Sequence, residues 1–276
     1  MALNDPQTAL SWNYQSIEIG RRLGPDGQAV LIGRLLDLAW TMMHDLNDYR
    51  SAVAPLAEAE TLLQKLGPEK YPHLRTWLAS WSIHLFNQQG KYQEAVALGR
   101  EMIQLGEKLA WGENIWNLLF LGDGYTGLKE YDAARNGYLE ALHQADNLVD
   151  LRRPFILHHL GMVDLYQGNL GRALEYAQAG LQQAYEIPDY NNFAICLSLT
   201  ARIQAKQGTV LQAARLSGAA HAFHERQGRL SWEDSALEAI LPGWERDPEH
   251  EAIRQVYEEG RAMNAEQAVE FGLKRL

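Results

Sequence analysis

The chain has 276 residues, of which 46% are hydrophobic and 22% charged, a balance typical of folded proteins and unlike that of disordered ones. The formal net charge is −10, which argues against nucleic-acid binding, and the single thiol, Cys196, fits a reducing, cytoplasmic location. No apolar run approaches the roughly 18 residues of a transmembrane helix, so no membrane association is expected.

Helical periodicity runs through most of the chain, whereas strand patterns are essentially absent. In chain order the predicted helices cover residues 7–22, 28–46, 49–66, 71–89, 92–109, 112–128, 131–147, 151–168, 170–186, 189–207 and 210–227. Short turns separate the two helices of each pair, at Asn47-Asp48, Gly90-Lys91, Lys129-Glu130, Gly168-Asn169 and Gly208-Thr209. The sequence therefore predicts an all-α fold built from helical hairpins.

Alanines recur at one position of these hairpins. They are Ala9, Ala52, Ala95, Ala134, Ala173 and Ala213, at steps of 43, 43, 39, 39 and 40 residues. Three residues before the last five lie Tyr49, Tyr92, Tyr131, Leu170 and Val210. A small residue early in the second helix lets the first helix approach closely. A single hairpin cannot bury its apolar face, so hairpins of this kind are expected to stack.

The repeat resembles the tetratricopeptide repeat (TPR). One copy carries LGDGY at residues 121–125, YDAA at 131–134, then Tyr138 and Ala141, and a second copy runs from Leu160 to Ala177. The resemblance covers roughly residues 7–227 and implies a right-handed solenoid. Its expected parts are a leading helix in residues 1–27, five hairpins in residues 28–228 and a C-terminal helical cap in residues 229–276.

The first predicted helix matches the second helix of a repeat, and no first helix precedes it. We expect Leu10, Ile17 and Trp12 to be partly uncovered there. We also expect the natural protein to extend further towards its N-terminus, because an intact solenoid normally begins with a complete cap. The alternative is that residues 1–27 form a lone capping helix.

Two motifs near the C-terminus carry a second resemblance. Residues 213–220 read AARLSGAA and residues 260–269 read GRAMNAEQAV. The pair resembles the closing segment of large bacterial ATP-dependent regulators of the LuxR/MalT-like and STAND (signal-transduction ATPase) classes. This resemblance implies a sensor module covalently linked to an upstream ATPase and an effector, such as a DNA-binding domain, neither of which lies in this chain.

The last helix is predicted to close the array. Asn264 is a suitable N-cap residue, and Gln267 lies three residues later, as in a capping box. The helix that follows presents Ala268, Val269 and Leu273 to the array, while its charged residues face water.

Catalytic and cofactor motifs are not convincing. Residues 122–127 spell GxGxxG but lie in a first helix, whereas a nucleotide site needs a preceding strand. His221 and His224 share a helix face, yet a metal site needs further ligands. We therefore expect a protein that is not an enzyme and has no cofactor or metal.

The first helices of stacked hairpins line the inner, concave surface. Eighteen residues before each repeat alanine lie Arg34, Trp77, Trp116, Phe155 and Ile195. Fifteen before lie Asp37, Ser80, Leu119, His158 and Ser198. Eleven before lie Thr41, His84, Asp123, Met162 and Arg202, and eight before lie His44, Asn87, Thr126, Leu165 and Ala205.

From these rows we select the candidate partner-binding residues Arg34, Asp37, Trp77, Ser80, His84, Asn87, Trp116, Asp123, Phe155, His158 and Arg202. Exposed aromatic residues beside a few polar groups suit a groove for a protein, peptide or small-molecule ligand. The alternative is that the tryptophans pack between repeats. The leading hypothesis is the sensor domain of a multidomain bacterial signalling protein; the others are a self-standing TPR scaffold and, least favoured, a helical-repeat enzyme.

Overall fold

The computed structural model describes residues 6–108, 114–146, 151–227, 235–238, 242–245 and 250–274. The helices in these ranges are α1 (Pro6–Arg22), α2 (Gln28–Trp40), α3 (Tyr49–Leu66), α4 (Pro72–Gln88), α5 (Tyr92–Lys108), α6 (Ile115–Gly127), α7 (Tyr131–Asp146), α8 (Arg153–Tyr166), α9 (Leu170–Glu186), α10 (Tyr190–Lys206), α11 (Val210–Arg226), α12 (Ser235–Glu238), α13 (Glu251–Arg261) and α14 (Ala265–Leu273). These ranges contain no strand, so the predicted all-α fold is confirmed.

The helices pair as the repeat predicts. The first helices are α2, α4, α6, α8 and α10, and each is followed by a second helix: α3, α5, α7, α9 and α11. The repeat alanines of the five second helices are completely buried, which lets the first helix of the same pair approach closely. Except at the C-terminal end of α2, predicted helix ends agree with the observed ones to within three residues, although residues 109–113 and 147–150 lie outside the described ranges.

One irregularity changes the end of α2. The helix continues from Trp40 into a π-helical turn, Thr41–Asp45, before the chain turns into α3. A π-turn adds a residue to the helical register, and such turns occur frequently at functional sites. The sequence analysis predicted an uninterrupted helix here.

The turns inside the five hairpins share a backbone conformation. Five residues before each repeat alanine the backbone has a positive φ, at Asn47 (53°), Gly90 (72°), Lys129 (62°), Gly168 (79°) and Gly208 (86°). Glycine and asparagine adopt this left-handed conformation readily, whereas Lys129 carries a steric cost. The backbone conformation of the turn is therefore the same in all five hairpins, although the residue type that adopts it differs.

Contacts divide the chain into two compact units, Met1–Ala141 and Leu142–Leu276. In the first unit α1 packs on α2, and the successive hairpins share one apolar core. Ile17 is buried in that core and Leu10 packs against it, whereas Trp12 is 64% exposed. The expectation of an uncovered leading helix therefore holds for Trp12 and is wrong for Ile17, because α2 covers that face.

In the second unit two hairpins are closed by the C-terminal helices. α13 packs along α11, and α14 packs against α9, α10 and α11. Gln178 of α9 donates a hydrogen bond from Nε2 to the Gly272 carbonyl of α14 at 3.0 Å. The end of the chain therefore packs back onto α9, in the hairpin before the last one.

The predicted cap is present on α14. Asn264 Oδ1 accepts a hydrogen bond from Gln267 N at 2.9 Å, and Gln267 Oε1 accepts one from Asn264 N at 3.0 Å, which completes the capping box. Ala268 and Val269 are buried, and Leu273 packs against the same apolar cluster. The C-terminal helical cap is confirmed.

Candidate partner-binding surface of the first helices

Three tryptophans from successive first helices meet in the first unit. We call Trp40 of α2, Trp81 of α4 and Trp116 of α6 the tryptophan cluster. The ring centroids of Trp40 and Trp81 are 4.5 Å apart, those of Trp81 and Trp116 are 5.8 Å apart, and those of Trp40 and Trp116 are 5.2 Å apart. Each ring therefore touches the other two, in stacked or edge-to-face geometry.

The contact between Trp40 and Trp116 spans α4, which packs against both α2 and α6. Trp81 of α4 is buried in the apolar core of the first unit, and Trp40 and Trp116 are half-buried against that core.

Two further rings adjoin the cluster, of which His44 is half-buried and Phe120 is buried. The His44 ring stacks on Trp40 with centroids 4.2 Å apart. The Phe120 ring stacks on Trp116 at 5.6 Å and contacts His84 at 4.5 Å. His44 lies in the π-helical turn, so this irregular segment places an imidazole against the tryptophan cluster.

Several polar residues lie beside His84. The His84 ring meets the Tyr49 ring edge-on, with centroids 5.6 Å apart. The Tyr138 hydroxyl donates a hydrogen bond to Asp123 Oδ1 at 2.6 Å. Burial, together with the negative charge of Asp123, raises the pKa of Tyr49 to about 12, because both disfavour the phenolate. Two tyrosines, a histidine and a carboxylate are thus gathered next to the tryptophan cluster.

The polar residues of α2 lie one to two turns before Trp40. Arg34 Nη1 and Asp37 Oδ2 form an ion pair at 2.9 Å, and both side chains are partly exposed. Burial raises the pKa of the Asp37 carboxyl, and the Arg34 charge opposes this rise. Asn13 of α1 donates a hydrogen bond to Thr41 Oγ1 at 3.0 Å, which fixes α1 beside the same face.

Two other selected residues, Ser80 and Asn87, form hydrogen bonds between helices. Ser80 Oγ donates to Asn117 Oδ1 at 2.9 Å, and Asn87 Nδ2 donates to the Phe120 carbonyl at 2.7 Å. Both side chains are buried. Ser80 and Asn87 therefore hold α4 on α6, and their polar atoms face neither solvent nor a groove.

Trp77 is the most exposed of the selected aromatic residues, with 44% of its surface accessible. It precedes Trp81 by four residues in α4, so the two side chains are neighbours on one face of the helix. Trp77 therefore presents an exposed ring one helical turn before Trp81.

The remaining selected residues belong to the second unit. Phe155 packs against the apolar cluster that includes Phe193, and its ring meets His159 at 4.5 Å. His158 is buried, and Arg202 Nη1 lies 3.4 Å from Met162 Sδ. The structure thus gathers Trp116, His84 and Asp123 around Phe120 and Tyr49 in the first unit, and separately places Phe155, His158 and Arg202 on α8 and α10.

The solvent-accessible face of the first helices includes only two of the four rows of residues that the sequence predicted to line it. Residues eighteen and eleven before the repeat alanines are mostly exposed or half-buried, whereas those fifteen and eight before are mostly buried. Sequence reasoning also did not single out Trp40, Trp81 and Phe120, which support this face from below. Counting fourteen back from Ala95 and Ala134 gives Trp81 and Phe120, and both are buried.

The other motifs serve packing. A Cβ atom on Gly122 would overlap the Tyr138 ring, and one on Gly127 would overlap the Tyr92 ring, so these glycines of the GxGxxG segment make room for aromatic rings. Over the described ranges, no group of three or more His, Cys, Asp and Glu side chains could hold a metal ion. Within the same ranges, no helix is long and apolar enough to cross a membrane.

No protein-family model and no curated protein matches the chain. Among solved structures, BtubC (BKLC) from P. vanneervenii matches with 18% identity and a TM-score of 0.57, over 81% of this chain and 92% of that one. The apo form of RapI matches with 11% identity and a TM-score of 0.54, over 95% of this chain and 98% of that one.

A third match is a signal transduction ATPase with numerous domains (STAND) from Pyrococcus horikoshii that has a tetratricopeptide repeat sensor. The identity is 15% and the TM-score 0.53, over 83% of this chain and 41% of that chain. This chain therefore spans about two fifths of the STAND protein. At such identities the likeness concerns the fold, which is an all-α, TPR-like helical repeat.

Proposed function

We propose that this chain is a protein-interaction module that holds a peptide segment of its partner on the inner face of α2, α4 and α6. The observation that carries the proposal is the tryptophan cluster, in which the buried Trp81 holds the half-buried rings of Trp40 and Trp116, one helical turn from the exposed Trp77. Tryptophan is enriched among residues that dominate binding energy at protein interfaces.

Trp77 and Trp116 are the contact residues of this site. Trp77 offers an exposed ring, and Trp116 is half-buried against Trp40 and Trp81, which fix its orientation. A fixed ring loses little conformational entropy on binding, which favours affinity. Arg34, Asp37, His84 and Asp123 are the polar groups that orient the partner's backbone or side chains.

The buried members have a supporting role. Ser80 and Asn87 hold α4 on α6, and therefore hold Trp81 beside Trp116. In the second unit, Phe155 and Arg202 are proposed to form a further contact surface on α8 and α10, and the buried His158 is proposed to support it.

In the wider protein, this module acts as the sensor domain of a multidomain bacterial signalling ATPase that regulates transcription. Support comes from the AARLSGAA and GRAMNAEQAV motifs and from the fold shared with the STAND protein. The alternative is a self-standing scaffold that joins two proteins. An ATPase and an effector encoded in frame upstream support the sensor, and their absence supports the scaffold.

The test is a selection of peptides from a random displayed library against this chain. Peptides that bind are then titrated against three proteins: the wild type, Trp77→Ala and Leu139→Ala. Leu139 is also exposed but lies on the second helix α7, so it is the matched control. Trp77→Ala is expected to weaken binding more than tenfold, the loss of roughly 1.4 kcal/mol or more, with no change for Leu139→Ala. Equal affinity of the selected peptides for Trp77→Ala and wild type contradicts the proposal.

A further inference from the structure

A cleft opens in the second unit where α11, α13 and α14 meet. Its volume is about 380 Å³. Arg215 of α11 and Glu259 of α13 line it from one side, and residues of α14 line it from the other. Pockets that bind small molecules usually measure about 300–1,000 Å³, so this cleft has the size that suits a small ligand.

The helices around the cleft are held in fixed positions. α11 and α13 touch backbone to backbone, since a Cβ atom on Gly260 would overlap the Arg215 carbonyl. The capping box between Asn264 and Gln267 fixes the start of α14, which packs against α9, α10 and α11. The cleft is therefore preformed, and a ligand loses little affinity to the ordering of its walls.

One face of α14 brings apolar surface and two opposite charges to the cleft. Glu270, Phe271 and Lys274 all line it, and steps of one and three residues place them on the same side of the helix. Met263, just before α14, adds a second apolar side chain. The lining therefore combines apolar surface with a carboxylate and an ammonium group.

Two cationic side chains lie against the Phe271 ring. Arg215 Cζ is 5.3 Å from the ring centroid, and Lys274 Nζ is 5.9 Å from it. Arg215 Nη2 donates a hydrogen bond to Glu259 Oε2, whereas Arg215 Nε is buried without a hydrogen-bond partner among the described residues. A buried donor without an acceptor is unfavourable, so this side of the cleft favours an anionic ligand group.

The two charges of α14 are not paired with each other. A glutamate four residues before a lysine often forms an ion pair in a helix, but neither Glu270 nor Lys274 forms one with any described residue. Their Cβ atoms are expected to be about 5–6 Å apart, as for any such pair. A ligand with adjacent positive and negative groups complements both charges, whereas a ligand of one sign meets a like charge.

We propose that this cleft binds a free α-amino acid with an apolar side chain. Lys274 and Arg215 attract its carboxylate, and Glu270 attracts its ammonium group. Its side chain lies against Phe271 and Met263. The inference does not depend on the peptide-binding role, because the tryptophan cluster belongs to the first unit and the cleft to the second.

Isothermal titration calorimetry of the full chain with L-leucine and with L-phenylalanine tests the proposal. At least one of them is expected to bind saturably and to raise the melting temperature, because a ligand of the folded state stabilises it. The carboxylate analogues are 4-methylpentanoate and 3-phenylpropanoate, and the amine analogues are 3-methylbutylamine and 2-phenylethylamine. Each analogue lacks one of the two charges and is expected to bind more than tenfold more weakly than its parent amino acid.

Two variants assign each charge to its partner. Glu270→Gln is expected to bind the amino acid and its carboxylate analogue equally, because nothing then recognises the ammonium group. Lys274→Gln is expected to lose most of the preference for the amino acid over its amine analogue. Glu266→Gln, at an exposed position of α14 outside the cleft lining, is the control and is expected to bind like the wild type. Circular dichroism melts check that each variant is folded.

Three results would overturn the proposal. The first is that neither amino acid binds at millimolar concentration. The second is that the carboxylate analogue binds more tightly than the amino acid, since the cleft would then recognise a simple anion. The third is that Glu270→Gln and Lys274→Gln both bind like Glu266→Gln, which would place the ligand elsewhere on the protein.

Discussion

Gly218 of α11 and Gly260 of α13 allow the two helices to touch backbone to backbone. A Cβ atom on Gly218 would overlap the Tyr257 carbonyl, and one on Gly260 would overlap the Arg215 carbonyl. The two glycines belong to the AARLSGAA and GRAMNAEQAV motifs. These motifs, recognised separately in the sequence, are therefore the two halves of one helix crossing.

This crossing predicts that Gly260→Ala is destabilising. The added methyl group has only backbone against it, so α13 must move away from α11, at a cost of about 1–3 kcal/mol or more. Gly171→Ala in α9 is the control, because nothing lies within 4 Å of a Cβ atom there. Urea unfolding is expected to show a loss for Gly260→Ala and little change or a slight gain for Gly171→Ala. Equal stability of the two variants would place the helices further apart than described.

The turn before α7 offers a stabilising substitution. Lys129 has a φ of 62°, where the other hairpin turns have asparagine or glycine. Lys129→Gly removes this strain and is expected to raise the free energy of unfolding by about 0.5–1 kcal/mol, after the entropy cost of glycine is subtracted. The mirror change, Gly90→Lys at a φ of 72°, is expected to lower it by a similar amount. Thermal melts of both proteins check the opposite signs.

Replacing Trp116 and replacing Trp77 are expected to have different effects on the free energy of unfolding. Trp116 packs against Trp40, Trp81 and Phe120, so Trp116→Ala leaves a gap in the cluster and costs about 2–4 kcal/mol. Trp77 is exposed, so Trp77→Ala is expected to stay within about 0.5 kcal/mol of wild type. Chemical unfolding followed by circular dichroism separates the two. A large loss for Trp77→Ala would make that ring a packing residue and move the binding surface elsewhere.

Tyr49 predicts a pH dependence at high pH. Its pKa is raised from 10.0 to about 12 in the folded protein. Between these values the unfolded chain has lost the phenolic proton and the folded protein keeps it, so the free energy of unfolding falls as pH rises, by up to about 2–3 kcal/mol in total. The decline is complete above pH 12. In Tyr49→Phe this part of the decline is expected to vanish, as the difference between the two stability profiles would show.

The capping box predicts that its loss destabilises the protein. Asn264→Ala removes the acceptor for Gln267 N and is expected to lower the free energy of unfolding by about 1 kcal/mol. Glu270→Ala, at an exposed position of α14, is the control.

The packing of α14 predicts the effect of removing it. Truncation before Asn264 removes the helix that covers Leu181 and is expected to promote self-association as well as lower the melting temperature. A truncated chain that melts like the full chain would show that α14 does not act as a cap.

The repeat could be predicted from the sequence because its determinants are local. Each signal is carried by residues that are close together in the sequence: the buried alanine, the left-handed turn and the helical period of 3.6 residues. The helix ends could be predicted from these signals. The α14 cap was predictable for the same reason, since Asn264 and Gln267 are three residues apart.

The surface was less predictable because it depends on contacts distant in sequence. Spacing alone placed Ser80 and Trp77 on one inner face, but α6 covers the first and leaves the second open. Trp40 was missed because the π-helical turn shifts the register of α2, and no residue pattern announces such a turn. The meeting of Trp40 with Trp116 depends on how α2, α4 and α6 pack together, and a count along each helix does not contain that information.

The return of α14 onto α9 has a consequence for the order of folding during synthesis. Most helices pack on neighbours made moments before or after them, but the hydrogen bond between Gln178 and Gly272 joins residues 94 positions apart. On a translating ribosome, α9 therefore emerges well before the helix that covers Leu181 exists. The apolar surface of α9 stays open to chaperones during that interval, and closing so long a loop makes α14 the late step in folding.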